Sequence, residues 1–287
     1  MVKPKIACYI TGGWTECGYM TRFLEKINDS FDYRQRFPQK NIGKKGKARH
    51  KFSVDGKTGK DLIKYVYDDI RNHKDELDGY AAILIEDDMD DQYFLESKTG
   101  RDYQEIEKRK LEIQKEIQKI SENEELKVFF LYALPEIESW FISDWENTFG
   151  TEYKNMLCSV NSYFSTTFKK FVMDTVLTNK FPVEEIENYG YITHEYQKLS
   201  DKLILSFQEY SCCAESYKNN SDYNELINNL IRENKITYSK RFEGINMLKR
   251  LAPDKVAVFC KHYFSKEYAE LRGFNYDIKY SITGGRS

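Results

Sequence analysis

Carboxylates stand just beyond three apolar runs of this chain. Glu16 follows the run at 5–11, the burst Glu86-Asp87-Asp88-Met89-Asp90-Asp91 follows Tyr80 to Ile85, and Glu136 and Glu138 follow Leu126 to Leu134. Acidic groups gathered in one place repel one another until a cation neutralises them, and hard oxygen donors suit Mg²⁺ or Mn²⁺ rather than Zn²⁺. Asp88 and Asp90, spaced i, i+2, would point the same way from an extended segment. Taken singly, each has a plainer explanation. An acidic run after a strand is also what a solvated loop looks like, and Glu16 near a helix N-terminus would favour the macrodipole. Their conjunction at three strand ends favours a divalent-metal site.

The elements that must position these groups follow from periodicity. Residues 5–11 read as a buried strand stopping at Gly12-Gly13, and Trp14 to Ile27 has helical spacing with Thr15 as N-cap. The stretch 32–51 reads as polar and strongly basic, with a short strand at 50–54. A helix is expected from Lys57 to Leu77, and Tyr80 to Ile85 is the continuous apolar run of a strand covered on both faces in a parallel sheet. A charged helix at about 102–123 leads to the strand at 126–134. Pro135 then breaks that strand and stands in the first turn of the next helix. Beyond about 151 the alternation ceases, with helices expected near 152–178, 183–189, 194–215, 221–234, 241–251 and 253–272. The expected architecture is an α/β unit at 1–150, a mostly parallel four-stranded sheet flanked by helices, followed by a mainly helical region at 151–287 that packs on it. In an open parallel sheet functional groups collect at the carboxyl ends of the strands, so the three acidic loops are expected on one rim.

The chain has 287 residues, 40% hydrophobic and 31% charged, with 5 Pro and 15 Gly. Such a composition excludes collagen-like, low-complexity and wholly disordered chains. No apolar run approaches the roughly 20 residues that span a bilayer. The opening residues 1–10 read as a strand rather than a signal peptide. A soluble, cytoplasmic protein without a membrane partner is therefore expected, with its six cysteines lacking CxxC spacing and acting as reduced, mostly core thiols. The net charge of −2 decides nothing about partners, so local charge must. Lys40, Lys44, Lys45, Lys47, Arg49 and Lys51 place six basic side chains in twelve residues. This segment reads either as a solvated loop or as a phosphate-contacting one whose affinity would fall steeply with salt. Lys240, Arg241, Lys249 and Arg250 make a second, weaker group that also reads as helix surface. Gly12-Gly13 and the Gly56 to Lys60 stretch lack the full spacing of a nucleotide-binding loop. The four histidines lie too far apart in sequence to form a metal motif. Trp140, Phe141 and Trp145 read as packing between the two halves.

Three segments together resemble the Toprim fold shared by primases, topoisomerases and overcoming-lysogenization-defect nucleases. Ile10 to Glu16 looks like the Toprim loop that carries a glutamate after the first strand, and Leu84 to Asp91 looks like its DxD strand end. Leu134-Pro135-Glu136-Ile137-Glu138-Ser139-Trp140-Phe141 is similar to the PE-x-E-x-W segment of an uncharacterised bacterial Toprim-like family. That family's closing Tyr-x-Lys and Asp-led helix are matched by Tyr238-Ser239-Lys240 and Asp254 to Leu271. The resemblance implies Mg²⁺- or Mn²⁺-dependent phosphodiester chemistry on nucleic acid, as in a nuclease of bacterial defence or a mobile element, with an ATPase or other effector protein beside it. It implies Glu16, Asp88 and Glu138 as catalytic residues, Glu16, Asp88 and Asp90 as metal ligands, and Lys44, Lys45, Lys47, Arg49 and Lys240 as nucleic-acid contacts. One departure matters: Gly12 stands where that loop usually offers its first glutamate, which leaves a non-catalytic module binding nucleic acid, a nucleotide or a partner protein as the alternative.

Overall fold

The computed structural model describes residues 2–11, 15–16, 19–38, 56–96, 100–153, 162–177, 182–192, 195–216 and 238–276. Strands β1 (Lys5–Ile10), β2 (Asp32–Phe37), β3 (Tyr80–Asp88) and β4 (Lys127–Ala133) form one sheet in the order β2-β1-β3-β4, with every neighbouring pair parallel. Parallel neighbours need crossovers. These are α1 (Met20–Ile27), then α2 (Gly59–Asn72) with the short α3 (Lys74–Leu77), and α4 (Tyr103–Ser121). The chain leaves β1 toward β2 and later returns to β3 on its other side, so the order reverses between the ends of β1 and β3. In open α/β sheets that crevice is where ligands bind.

The central strands are apolar between their ends because alternate side chains enter two covered cores. Ile6, Cys8 and Ile10 of β1, Ala82 and Leu84 of β3, and Phe129, Leu131 and Ala133 of β4 face one core, shared with α1 and the C-terminal helices. Ala7, Tyr9, Ile83, Ile85, Val128, Phe130 and Tyr132 face a second core under α2 and α4. Covered on both faces, β3 is apolar from Ala81 to Ile85 and turns acidic only at its carboxyl end. The α2 and α4 helices each bury one stripe, Leu62, Ile63, Val66 and Ile70 in α2 and Ile106, Ile113 and Ile117 in α4.

Several elements depart from the sequence reading. The stretch after Asp32 contains a strand: β2 is half-exposed at the sheet edge, where Tyr33 and Phe37 turn inward and Arg36 reaches Asp69 at 3.1 Å. The sequence reading took 32–51 only as a polar, basic stretch, and the strand expected at 50–54 lies outside the described residues. Helix α1 begins at Met20 rather than beside Thr15, and Thr15 donates its hydroxyl to the Lys240 carbonyl at 2.8 Å instead of capping it. Pro135 follows a cis peptide bond and stands outside helix α5 (Glu138–Ser143), which starts three residues later.

After α6 (Phe149–Glu152) and α7 (Ser162–Leu177), the segment expected as a helix at 183–189 is a 3-10 turn, Val183–Asn188. A two-stranded ladder, β5 (Tyr191–Ile192) with β6 (Glu195–Tyr196), precedes α8 (Leu199–Ser216). A π turn, Lys240–Gly244, leads into α9 (Ile245–Arg250), then α10 (Pro253–Phe259) and α11 (Phe264–Gly273). The helix expected at 221–234 lies outside the described residues. The break between α10 and α11 has a plain cause: the buried Glu187 carboxylate accepts the N–H groups of His262, Tyr263 and Phe264 at 2.7, 3.1 and 2.9 Å, which begins a new helix there. Trp140 stacks on Phe23 at 5.5 Å and packs on Phe264 at 4.9 Å, so the strand-end helix, α1 and the C-terminal region meet in one core. No helix among the described residues is long and apolar enough to cross a membrane.

Candidate functional site

The carboxyl ends of β1, β3 and β4 open onto one rim, and a segment from far along the chain closes it. Glu16 stands in the turn before α1, where its carbonyl accepts the N–H groups of Tyr19 and Met20. Glu86 and Asp88 are the last two residues of β3 on the face shared with α1, as their register against Leu131 and Ala133 requires. Pro135 turns the chain after β4 and sets Glu136 and Glu138 at the start of α5. Tyr238 and Lys240 come in at the head of the π turn.

Hydrogen bonds divide these carboxylates into satisfied and unsatisfied ones. Glu136 is fully engaged, accepting from the Ser200 amide at 2.9 Å, the Ser200 hydroxyl at 2.9 and 3.1 Å and the Lys240 ammonium at 2.8 Å. Asp88 Oδ1 accepts the Ile137 N–H at 3.0 Å. Glu138 Oε1 takes the Tyr238 hydroxyl at 2.6 Å, and its Oε2 lies 3.3 Å from Lys240 Nζ, an ionic contact without hydrogen-bond geometry. Glu86 Oε2 accepts the Thr11 N–H at 3.1 Å. Glu16 Oε2 and Glu86 Oε1 are buried with no hydrogen-bond partner among the described residues. Unpaired buried acceptors are costly and rare in folded proteins.

The charges are equally unbalanced, with five acidic side chains gathered about one ammonium among the described residues. Burial pushes Glu16 up to about 7, with Glu138 and Glu136 adding to the push and a backbone hydrogen bond and Lys240 opposing it. Glu86 is driven well up by burial and then by Glu16, Asp88 and Asp87. Asp88 rises well above the ordinary aspartate range through burial, with Lys240 opposing and Glu16, Glu136 and Glu138 adding. Burial raises Glu138 as well. Glu136 alone is held low: burial works against its charge, but Lys240 and Ser200 outweigh it. The same carboxylates hold Lys240 charged against its own burial. Such a cluster can keep protons on carboxylates near neutral pH or take up a cation.

The structure brings Glu16, Asp88 and Glu138 together on one rim, each within the electrostatic reach of the others. It sets Asp90 apart. The strand ends at Asp88 and Asp90 has φ +39°, so the two are not neighbours on an extended segment. Asp90 instead meets Lys198 at 3.3 Å and the Tyr196 hydroxyl at 3.4 Å. The i, i+2 pair that does share a face is Glu86 and Asp88. Asp87 faces the other core, where Oδ2 accepts the Gly59 N–H at the head of α2 at 2.5 Å. Lys240 is no helix-surface residue but lies among the carboxylates, while Lys44, Lys45, Lys47, Arg49 and Gly12 lie outside the described residues.

Sequence reasoning placed Glu86 and Glu136 among the strand-end carboxylates without assigning them a role, met Tyr238 only in the Tyr-x-Lys resemblance, and missed Ser200. Alternation counted backward from Asp88 into the strand would have given Glu86 its role, but no local signal marks Ser200.

A hard divalent cation fits the donor set in kind, since every candidate ligand is a carboxylate oxygen and three of those oxygens, Glu16 Oε2, Glu86 Oε1 and Glu138 Oε2, are buried with no hydrogen-bond partner among the described residues. In the present arrangement, however, no group of three or more His, Cys, Asp or Glu side chains among the described residues is set to hold a metal ion. Compared with protein-family models, curated proteins and solved structures, the chain matches none.

Proposed function

We propose that this chain carries out divalent-metal-dependent phosphodiester chemistry on nucleic acid, as a Toprim-like nuclease. A cytoplasmic setting in bacterial defence or a mobile element, with an ATPase or effector alongside, belongs to the same reading. One observation carries it: Glu16, Glu86, Asp88 and Glu138 converge from three strand ends on the switch-point rim, with acceptor oxygens left unpaired and one ammonium, Lys240, among them in the described residues. A buried surplus of negative charge of this kind has little purpose in a purely structural role, where apolar residues would pack at lower cost.

In this reading Glu16, Glu86, Asp88 and Glu138 would hold Mg²⁺ or Mn²⁺. The bound cation would polarise a phosphoryl oxygen and acidify an attacking water. The chain's own groups do the rest. Glu16, whose carboxyl burial raises in the metal-free cluster, would give up its proton as the cation binds, because a ligating carboxylate must be ionised. Tyr238 fixes one oxygen of Glu138, and Ser200 anchors Glu136, so both glutamates keep their orientation. Lys240 supplies positive charge for a phosphate, and the basic stretch 40–51 extends it along a backbone.

The alternative, a binding module without turnover, draws support from the burial of Glu16, Glu86 and Glu138, at 2%, 0% and 0% exposure. Incubation of the purified protein with end-labelled single- and double-stranded DNA and RNA, with Mn²⁺ or with chelator, separates the two. Cleavage that requires Mn²⁺ and vanishes in Asp88→Asn supports the nuclease. Retention of nucleic acid without cleavage, unaffected by chelator, supports the module and rejects the nuclease.

A further inference from the structure

The cluster contains a positive charge of its own, and its placement bears on how tightly any other cation can bind. Lys240 Nζ lies 2.8 Å from Glu136 Oε1 and 3.3 Å from Glu138 Oε2. Glu136 is saturated by Ser200 and Lys240 and has nothing further to offer. In Glu138, Oε1 is committed to the Tyr238 hydroxyl, so Oε2 is the oxygen left to face a cation. The ammonium therefore holds the ligand position a divalent ion would take, while Glu16 Oε2 and Glu86 Oε1 stay unpartnered because one charge cannot serve every carboxylate. The backbone of this segment is pinned beside Glu16 by the bond from Thr15 Oγ1 to the Lys240 carbonyl. Gly244 fits against Thr15 so closely that a Cβ there would lie 2.6 Å from Oγ1. The side chain, by contrast, is 38% exposed, so its long stem has a way out to solvent.

We infer that Lys240 sets the affinity of this carboxylate cluster for divalent cations by acting as a built-in counter-ion at Glu138, which a metal must displace in order to bind. The inference rests on the cluster being a metal site. Ammonium and metal cannot share Glu138 Oε2, because like charges a few ångströms apart in a partly desolvated site repel strongly. The metal-free protein thus carries its own substitute cation, and metal affinity is held down by the cost of expelling it.

The test is a Mn²⁺ titration of the full-length protein by calorimetry and by electron paramagnetic resonance of free Mn²⁺, on wild type, Lys240→Gln and Asp88→Asn, with melting curves in chelator and in saturating Mn²⁺. The Gln variant should bind Mn²⁺ at least about tenfold more tightly, since a competing charge is gone. It should melt below wild type in chelator and recover most of that loss in Mn²⁺. Unchanged or weaker Mn²⁺ affinity, with equal melting losses in both conditions, would show Lys240 to be a structural tie and overturn the inference. Because a Gln variant that failed to fold would leave no titration, wild type is also labelled with trace acetic anhydride and digested for mass spectrometry. Acetylation of Lys240, relative to Lys26, should rise severalfold on adding Mg²⁺, and a constant ratio overturns the inference without any variant. Wild type that binds no Mn²⁺ lost in Asp88→Asn rejects the metal site itself, a result distinct from tight binding that ignores residue 240.

Discussion

Neutralising Glu16 should stabilise the metal-free protein, and by an amount that depends on pH. Its carboxyl, 2% exposed and with one oxygen unpartnered, is raised from the ordinary 4.5 to about 7. Below pH 4.5 it is protonated in both the folded and the unfolded chain, so its burial carries no charge penalty. Between there and about 7 the folded state keeps a proton that the unfolded chain has lost, and stability falls as pH rises. Above about 7 the full difference applies, about 2.5 pH units at about 1.4 kcal/mol each, or about 3 kcal/mol. Gln mimics the protonated acid. Glu16→Gln in chelator should therefore gain about 3 kcal/mol over wild type at pH 8 and almost nothing at pH 4.5. At about 2 °C per kcal/mol for a chain of this size, the melting point should rise by about 6 °C at the higher pH. Urea denaturation followed by circular dichroism at the two pH values measures this directly. A loss of stability at pH 8, or a gain independent of pH, would mean that the ionised carboxylate is well satisfied in the fold, and the argument from crowded, desolvated acids would fail.

Three further outcomes follow from the same geometry. Asp88→Asn should abolish Mn²⁺ binding in calorimetry, whereas Asp90→Asn, which loosens only the contacts with Lys198 and Tyr196, should leave it within about threefold. Glu187→Ala removes the acceptor of three backbone N–H groups at the start of α11 and should cost about 2–4 kcal/mol by urea denaturation. Gly244→Ala drives a Cβ into Thr15 and should cost about 1–3 kcal/mol; Thr15→Ser in the same chain removes the methyl but keeps the hydroxyl, so recovery should be partial, as a double-mutant cycle would show.

The central sheet was legible because its strands are buried on both faces. Continuous apolar runs at 80–85 and 126–134 admit few other readings, and their acidic endings place carboxylates at strand ends whatever the details. The edge strand β2 was not legible, since half-exposed Asp-Tyr-Arg-Gln-Arg-Phe reads as a polar stretch as readily as an edge strand. The pairing of Asp88 with Asp90 failed for a similarly local reason. Spacing predicts a shared face only while the backbone stays extended, and the strand ends two residues sooner.

Composition and pattern alone determined that carboxylates would ride on the ends of parallel strands, because apolar periodicity fixes which backbone is extended and the acidic residues begin where each apolar run stops. Which of them meet was decided by tertiary structure. Side-chain parity sent Glu86 and Asp88 to one face and Asp87 to the other. Chain return over a hundred residues or more brought Tyr238 and Lys240 against Glu136 and Glu138. Such long-range contacts leave no trace in local spacing, because they depend on how whole layers pack and not on the residues nearby in sequence.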